Sequence, residues 1–224
     1  MKRLYAKGAI HMLPANNDGF IFAAMQSAYE DKVVVSYKLF SFETGAVSPV
    51  TRSVYLLAKF GNNFKVFERQ VKDYLNCKVL QTADRKSFVF FPNGDAAAYD
   101  SEAGTLWSGS LIYKEKGPAD GIISGRQLWC SFPESDSVVR YNIRTMREEL
   151  RIGGGKTPAF SQPEGLWLIN DSLLVCNAGT CRIREININA YTVQDYAVFE
   201  EPVHQYIKVN SNEIVLLDSG IYRL

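Results

Sequence analysis

The stretch from residue 165 to residue 191 reads GLWLINDSLLVCNAGTCRIREININAY, and it decides the fold. It contains three short runs separated by polar segments. The first run ends at the turn Asn170-Asp171, the second is apolar on both faces, and the third alternates before a turn at 187–191. Such runs are typical of β-strands, and a run that is apolar on both faces indicates a strand buried between packed sheets.

The same pattern recurs along the chain. Polar turns after alternating runs end at Gly45, Gly104, Met146 and Tyr191, and two of the three intervals lie near the roughly 40–45 residues of a propeller blade. Five short strands are each followed by a turn and an apolar strand; the apolar strands lie at 19–24, 87–91, 127–131, 172–176 and 213–217. The repeating unit is therefore a four-stranded antiparallel meander.

One such sheet cannot bury both of its faces, so neighbouring sheets must stack on it. Five units arranged radially predict an all-β fold, a five-bladed β-propeller in a single domain that covers 1–224. A generic β-sandwich with coincidental spacing is the alternative. The expected blades are approximately 7–58, 59–116, 117–160, 161–200, and 201–224 together with 1–6.

The two ends of the chain predict how the ring closes. The fifth unit stops after its third strand, at 218–224, whereas Lys2-Arg3-Leu4-Tyr5 precedes the first inner strand. We expect this N-terminal strand to complete the last blade, which removes an open sheet edge.

One insertion has a different period. Within 62–75, apolar residues recur at helical spacing: Phe64, Phe67, Val71, Tyr74 and Leu75. We expect one short helical insertion between the first two blades. It either covers the end of the core or acts as a lid or a protein-docking helix at 64–75.

The segment 162–183 resembles an NHL-type propeller repeat. It has the Pro163-Glu164-Gly165 start, an apolar strand, a turn, a second strand, a small polar loop and Arg182-Ile183. The resemblance is fair over 118–143, and Cys176 stands where that family often has an acidic residue. Because NHL-like propellers bind proteins, RNA or small ligands and some relatives are enzymes, the resemblance implies an architecture and leaves the function open.

Composition limits the functional classes. The formal net charge of +1 argues against a general nucleic-acid binder, which needs an excess of cations. No apolar run reaches the roughly 18 residues of a membrane span, and none near the N-terminus suits a signal peptide. We therefore expect a cytoplasmic protein with no membrane partner and with reduced thiols. Cys176 and Cys181 flank a short loop, and they form either a bridged pair or two small buried residues.

A candidate site lies where the inner strands of the blades begin. Aligning the units places six polar residues there, including both histidines of the chain: His11, Lys78, Asp120, Glu164, His204 and Gln205. The loops between second and third strands, which contain Asp95, Asp136 and Asp218, are expected on the same face. This ring is either a ligand-binding site or a solvated rim without chemistry.

Two functions compete for this ring. The first is a binding module that holds a small molecule, peptide or glycan at the polar mouth of the central channel, without catalysis. The alternative is a metal-assisted lyase or hydrolase, which includes sugar-directed enzymes, in which His11, His204, Asp120 and Glu164 are candidate catalytic residues around a divalent metal. The sequence leaves open whether the protein is an enzyme. Nucleotide hydrolysis is not expected, because Gly153-Gly154-Gly155-Lys156-Thr157 lacks the phosphate-loop spacing.

Overall fold

The computed structural model describes residues 1–6, 8–16, 18–29, 32–61, 77–81, 86–100, 102, 104–113, 115–156 and 159–224. The predicted helix at 62–75 lies outside these residues. The described chain is mostly β and forms five four-stranded antiparallel sheets. The protein is a five-bladed β-propeller, which confirms the predicted fold class.

The described residues form strands that are numbered in chain order. They are β1 (Lys2–Ala6), β2 (Ala9–Ala15), β3 (Gly19–Tyr29), β4 (Lys32–Ser41), β5 (Val47–Val50), β6 (Lys78–Gln81), β7 (Ser87–Phe90), β8 (Asp95–Tyr99), β9 (Thr105–Ser110), β10 (Asp120–Ser124), β11 (Gln127–Phe132), β12 (Ser137–Asn142), β13 (Glu148–Gly153), β14 (Pro163–Ile169), β15 (Ser172–Asn177), β16 (Arg182–Asn187), β17 (Val193–Val198), β18 (Val203–Val209), β19 (Asn212–Leu217) and β20 (Gly220–Arg223). A single α-helix among the described residues, α1, spans Arg52–Phe60.

The chain forms two compact units, Met1–Lys65 with Val203–Leu224, and Val66–Pro202. The first unit contains blade 1 (β2 to β5) and blade 5 (β18, β19, β20 and β1). The second unit contains blade 2 (β6 to β9), blade 3 (β10 to β13) and blade 4 (β14 to β17).

Blade 5 is completed by the N-terminal strand, as the sequence predicts. Strand β1 pairs antiparallel with β20, and the register places Lys2 opposite Arg223 and Ala6 opposite Gly220. The first residues of the chain therefore satisfy the outer edge of the last strand.

The turns between third and fourth strands explain the repeat that is visible in the sequence. The Asn142 side-chain oxygen accepts hydrogen bonds from two backbone N–H groups further along its turn, and Asn187 does the same in blade 4. Each turn then ends on a residue with positive φ, which is Met146 in blade 3, Tyr191 in blade 4 and Gly45 in blade 1. A side-chain amide that mimics a backbone turn is what this geometry favours.

Apolar cores lie between the blades of the second unit. Trp129 and Val138 of blade 3 pack with Leu173 and Val175 of blade 4. Blade 2 meets blade 3 through a separate buried cluster that includes Phe90, Leu128, Cys130, Phe132, Val139 and Tyr141. The second strands β11 and β15 are almost wholly buried, as their two-sided apolar pattern predicts.

Helix α1 is an element that the sequence analysis missed. The Thr51 side chain accepts the Val54 N–H and caps its start, and the chain leaves the helix at Gly61 with positive φ. The helix buries Tyr55, Leu56, Lys59 and Phe60 and contacts β2 and β3. No helix among the described residues is long and apolar enough to cross a membrane.

Candidate functional site

The sequence alignment treats the six predicted site residues as equivalent, one position on the first strand of each blade. The strand pairings instead distribute them over three successive positions of that strand. Bulges interrupt the first strands of blades 1, 4 and 5. When the blades are aligned on their second strands, His11, Asp120 and Gln205 are equivalent, because they pair with Ala23, Ser131 and Leu216. Glu164 and His204 lie one position earlier, within bulges, and Lys78 lies one position later.

Asp120 is buried, with 6% of its surface exposed, and its carboxylate connects three blades. One oxygen accepts the Gly121 N–H at 2.7 Å and forms an ion pair with Lys78 of blade 2. The other oxygen accepts the Leu166 N–H of blade 4 at 2.8 Å. The carboxylate thus satisfies a backbone donor on the neighbouring blade, and we call this contact an inter-blade clip.

Gln205 forms the same kind of clip in the other unit. Its side-chain oxygen accepts the Met12 N–H at 2.7 Å, and its side-chain nitrogen donates to the Met12 carbonyl at 2.8 Å. Met12 and Leu166 occupy equivalent positions on their strands. Equivalent side chains on blades 3 and 5 therefore bind equivalent backbone groups on blades 4 and 1, which gives Asp120 and Gln205 a structural task.

Ser131 adds a second link between blades 3 and 4. Its hydroxyl donates to the backbone carbonyl of Glu164 and accepts the Asp120 N–H at 3.1 Å. The Glu164 side chain is partly exposed. The hydrogen bond from Ser131 therefore holds the backbone of Glu164 and leaves its side chain partly exposed.

The cysteines near this link are not activated. Burial raises the pKa of the Cys130 and Cys176 thiols, and the charge of Asp120 raises them further. Both thiols therefore stay protonated at neutral pH and are poor nucleophiles. Cys130, Cys176 and Cys181 form no disulfide within the described residues; Cys176 lies opposite Ile183 across the strands, whereas Cys181 is partly exposed.

His204 lies in the bulge of β18 and contacts Asp218. Its Nε2 is 2.6 Å from the Asp218 Oδ1, and the two side chains are 32% and 58% exposed. An ionised carboxylate only accepts hydrogen bonds, so Nε2 carries the hydrogen. Asp218 follows β19, so the loop between second and third strands lies beside the start of the first strand, as predicted for blade 5.

His11 is held by helix α1. Its Nδ1 is 3.1 Å from the Tyr55 hydroxyl, and Tyr55 is fully buried against the ring of Tyr37, with ring centroids 4.7 Å apart. The buried Lys59 lies one turn further along the helix, with its ammonium 6.0 Å from the Tyr55 ring. Sequence reasoning missed this cluster, although Thr51 as a cap followed by Tyr55 and Lys59 at helical spacing is a readable signal.

The other predicted loop carboxylates also form hydrogen bonds. Asp136 accepts the Gln162 N–H at 2.8 Å, which links blades 3 and 4, and Asp95 accepts from the Asn93 side chain at 2.8 Å. Across the part of the chain that the structure describes, no group of three or more His, Cys, Asp or Glu side chains is arranged to hold a metal ion.

The five four-stranded blades make this protein a member of the class of five-bladed β-propellers. Polar side chains lie where its first strands begin. Several solved structures resemble this fold at low sequence identity. Virginiamycin B lyase from Staphylococcus aureus has a TM-score of 0.53 at 10% identity, over 95% of this chain and 64% of the lyase. A protein of unknown function from Bacteroides thetaiotaomicron has a TM-score of 0.53 at 12% identity, over 92% of this chain and 56% of that chain.

The computationally designed Ika4 protein has a TM-score of 0.51 at 11% identity, over 65% of this chain and 88% of the design. The chain thus spans less than two thirds of the two natural proteins. No protein-family model and no curated protein matches it. These likenesses identify the fold alone.

Proposed function

We propose that the protein is a ligand-binding propeller whose site includes His204 and Asp218, at the start of the first strand of blade 5. The observation that supports this proposal is the exposed contact between the His204 ring and the Asp218 carboxylate within one blade. Asp120 and Gln205, in contrast, use their polar atoms to bind the backbone of a neighbouring blade. The exposed pair therefore offers directional polar atoms to a ligand while the clips keep the blades together.

The position of the pair in the fold also favours recognition. A β-bulge takes His204 out of the regular pairing of β18, and bulges redirect side chains next to binding sites. His11 belongs to the same unit, and its partly exposed imidazole extends the polar surface of that unit. A small polar ligand, such as a saccharide or a short peptide, matches hydrogen-bonding groups of this kind.

Ligand-observed NMR against a panel of small molecules, saccharides and short peptides tests the proposal. A ligand found with the native protein should bind about tenfold more weakly to His204→Gln and to Asp218→Asn, since each loses one charge-assisted contact. Asp195→Asn is the matched control, because Asp195 is an exposed carboxylate paired with Arg182 and Arg184 on blade 4. Equal affinity in all three variants would place the site elsewhere.

A metal-assisted lyase or hydrolase remains the alternative to simple binding. The lyase with a similar fold motivates a direct test, although its 10% identity carries no activity to this chain. Titration with Mn²⁺ provides that test. Broadening of the His204 imidazole signals at micromolar metal would favour a metal-dependent reaction, and unchanged signals at millimolar metal would favour binding alone. Kinship with NHL-type propellers remains a proposal that rests on 162–183.

A further inference from the structure

A separate pocket lies between blades 2 and 3, at the strand ends opposite to Asp120. The turn from β10 to β11 and the turn from β12 to β13 form one wall, and strands β7, β8 and β9 form the other. The volume is about 530 Å³, which is within the roughly 300–1,000 Å³ of small-molecule sites. We call this cavity the blade 2–3 pocket.

The floor of the blade 2–3 pocket is apolar. Trp107 and Met146 line it and also pack against the buried cluster between blades 2 and 3. The indole lies over Gly109, where an added Cβ would come within 2.5 Å of the ring. Phe88 and Ile143 extend the apolar surface. A flat apolar group that enters the pocket therefore meets a preformed aromatic wall, which reduces the entropy lost on binding.

The rim of the pocket is cationic. Its lining includes Lys86, Arg126 and Arg144, and none of the described residues that line it is a carboxylate. Arg126 and Arg144 are exposed, and neither forms an ion pair within the described residues. The arginines of the neighbouring strands differ, because Arg151 is paired with Glu148 and Arg182 with Asp195. No described carboxylate therefore binds the N–H donors of these two rim guanidinium groups.

We propose that the blade 2–3 pocket binds a small organic anion with a flat apolar body, such as an aromatic carboxylate, sulfonate or phosphate. The ring system lies against Trp107 and Met146, and the anionic group is bound by Arg126 and Arg144, whose planar forks suit oxyanions. This site is distinct from His204 and Asp218, since all of its lining residues belong to the other unit.

Fluorescence titration with anilinonaphthalene sulfonate tests the proposal, because this probe combines an aromatic body with one anionic group. We expect saturable binding at one site. Neutral phenylnaphthylamine, which lacks the sulfonate, should bind about tenfold more weakly, as should the probe to the double variant R126A/R144A. Trp107→Ala should weaken the probe by a similar factor through the lost aromatic wall.

Arg147→Ala is the matched control, because Arg147 is an exposed cation on the same turn that does not line the pocket. It should leave the affinity within about twofold, as should His204→Gln, which separates this site from the proposed function. Far-ultraviolet circular dichroism and thermal melting establish that each variant is folded. Non-saturable binding, or equal affinity for native protein and the folded double variant, would overturn the proposal.

Discussion

Replacement of Asp120 by alanine should destabilise the protein more than any other single change in the predicted ring. The substitution leaves the Leu166 N–H without its acceptor, and it leaves the Lys78 ammonium without its partner. A lost hydrogen bond to a charged group costs about 1.5–3 kcal/mol. Breaking a fully buried ion pair costs about 3–5 kcal/mol, but the Lys78 side chain is 24% exposed and can turn to solvent. We expect a total loss of about 3 kcal/mol in the free energy of unfolding.

The equivalent position on blade 5 supplies an internal comparison. Gln205→Ala removes two uncharged hydrogen bonds to Met12, which together are worth about 2 kcal/mol. Asp195→Ala removes an exposed carboxylate with two arginine partners and should cost about 1 kcal/mol or less. If the inter-blade clips stabilise the protein, the loss in the free energy of unfolding should therefore be largest for Asp120→Ala, smaller for Gln205→Ala and smallest for Asp195→Ala.

Urea unfolding, followed by tryptophan fluorescence and fitted by linear extrapolation, measures these losses. Trp129 and Trp167 lie in blades 3 and 4, on either side of the clip formed by Asp120. A loss of less than about 1 kcal/mol for Asp120→Ala would refute the reasoning, since a clip must contribute more than an exposed ion pair. In that case the ligand-binding role predicted for Asp120 from the sequence would again be the better explanation of its position.

Three further outcomes follow from the described contacts. A neutral thiol reagent should modify Cys181 first in native protein and leave Cys130 and Cys176 protected, as mass spectrometry after brief labelling will establish. Burial raises the pKa of these two thiols, so above about pH 8.5 only the unfolded chain loses their protons. The free energy of unfolding should therefore fall as the pH rises. Cys130→Ala should make that fall less steep in urea unfolding between about pH 8 and 10. Gly220→Ala, at φ 143° with its Cβ 2.2 Å from the Tyr5 carbonyl, should lower stability by about 2–4 kcal/mol in thermal melts, and an unchanged melting temperature would contradict the described pairing of β1.

The fold was predictable from the sequence because its signals are local and repeated. Two-sided apolar runs such as 172–176 identify the second strands, and the Asn142 and Asn187 turns mark the third. Closure by β1 followed from counting strands, since the last unit lacked one that the N-terminus supplied. These inferences need only the period of the pattern and the requirement that every sheet edge is satisfied.

The site was harder to predict because its details depend on register and on long-range contacts. Bulges at 9–11 and 203–205 shift the side chains by one position, so His11 is equivalent to Gln205 and not to His204. No local pattern reveals that Asp120 binds the backbone of a strand 46 residues away. Helix α1 was missed although its sequence carries the helical signals, which are the Thr51 cap and buried positions at 55, 56, 59 and 60.

The pairing of β1 with β20 brings the two ends of the chain side by side, with Lys2 opposite Arg223. A short glycine-rich linker can therefore join them, and the backbone can be opened at another surface turn, such as the one at Gly125 between β10 and β11. Such a circular permutant keeps every strand pair while changing the order in which the blades are synthesised. It would move new chain ends to the blade 2–3 pocket and leave His204 and Asp218 on an uninterrupted blade.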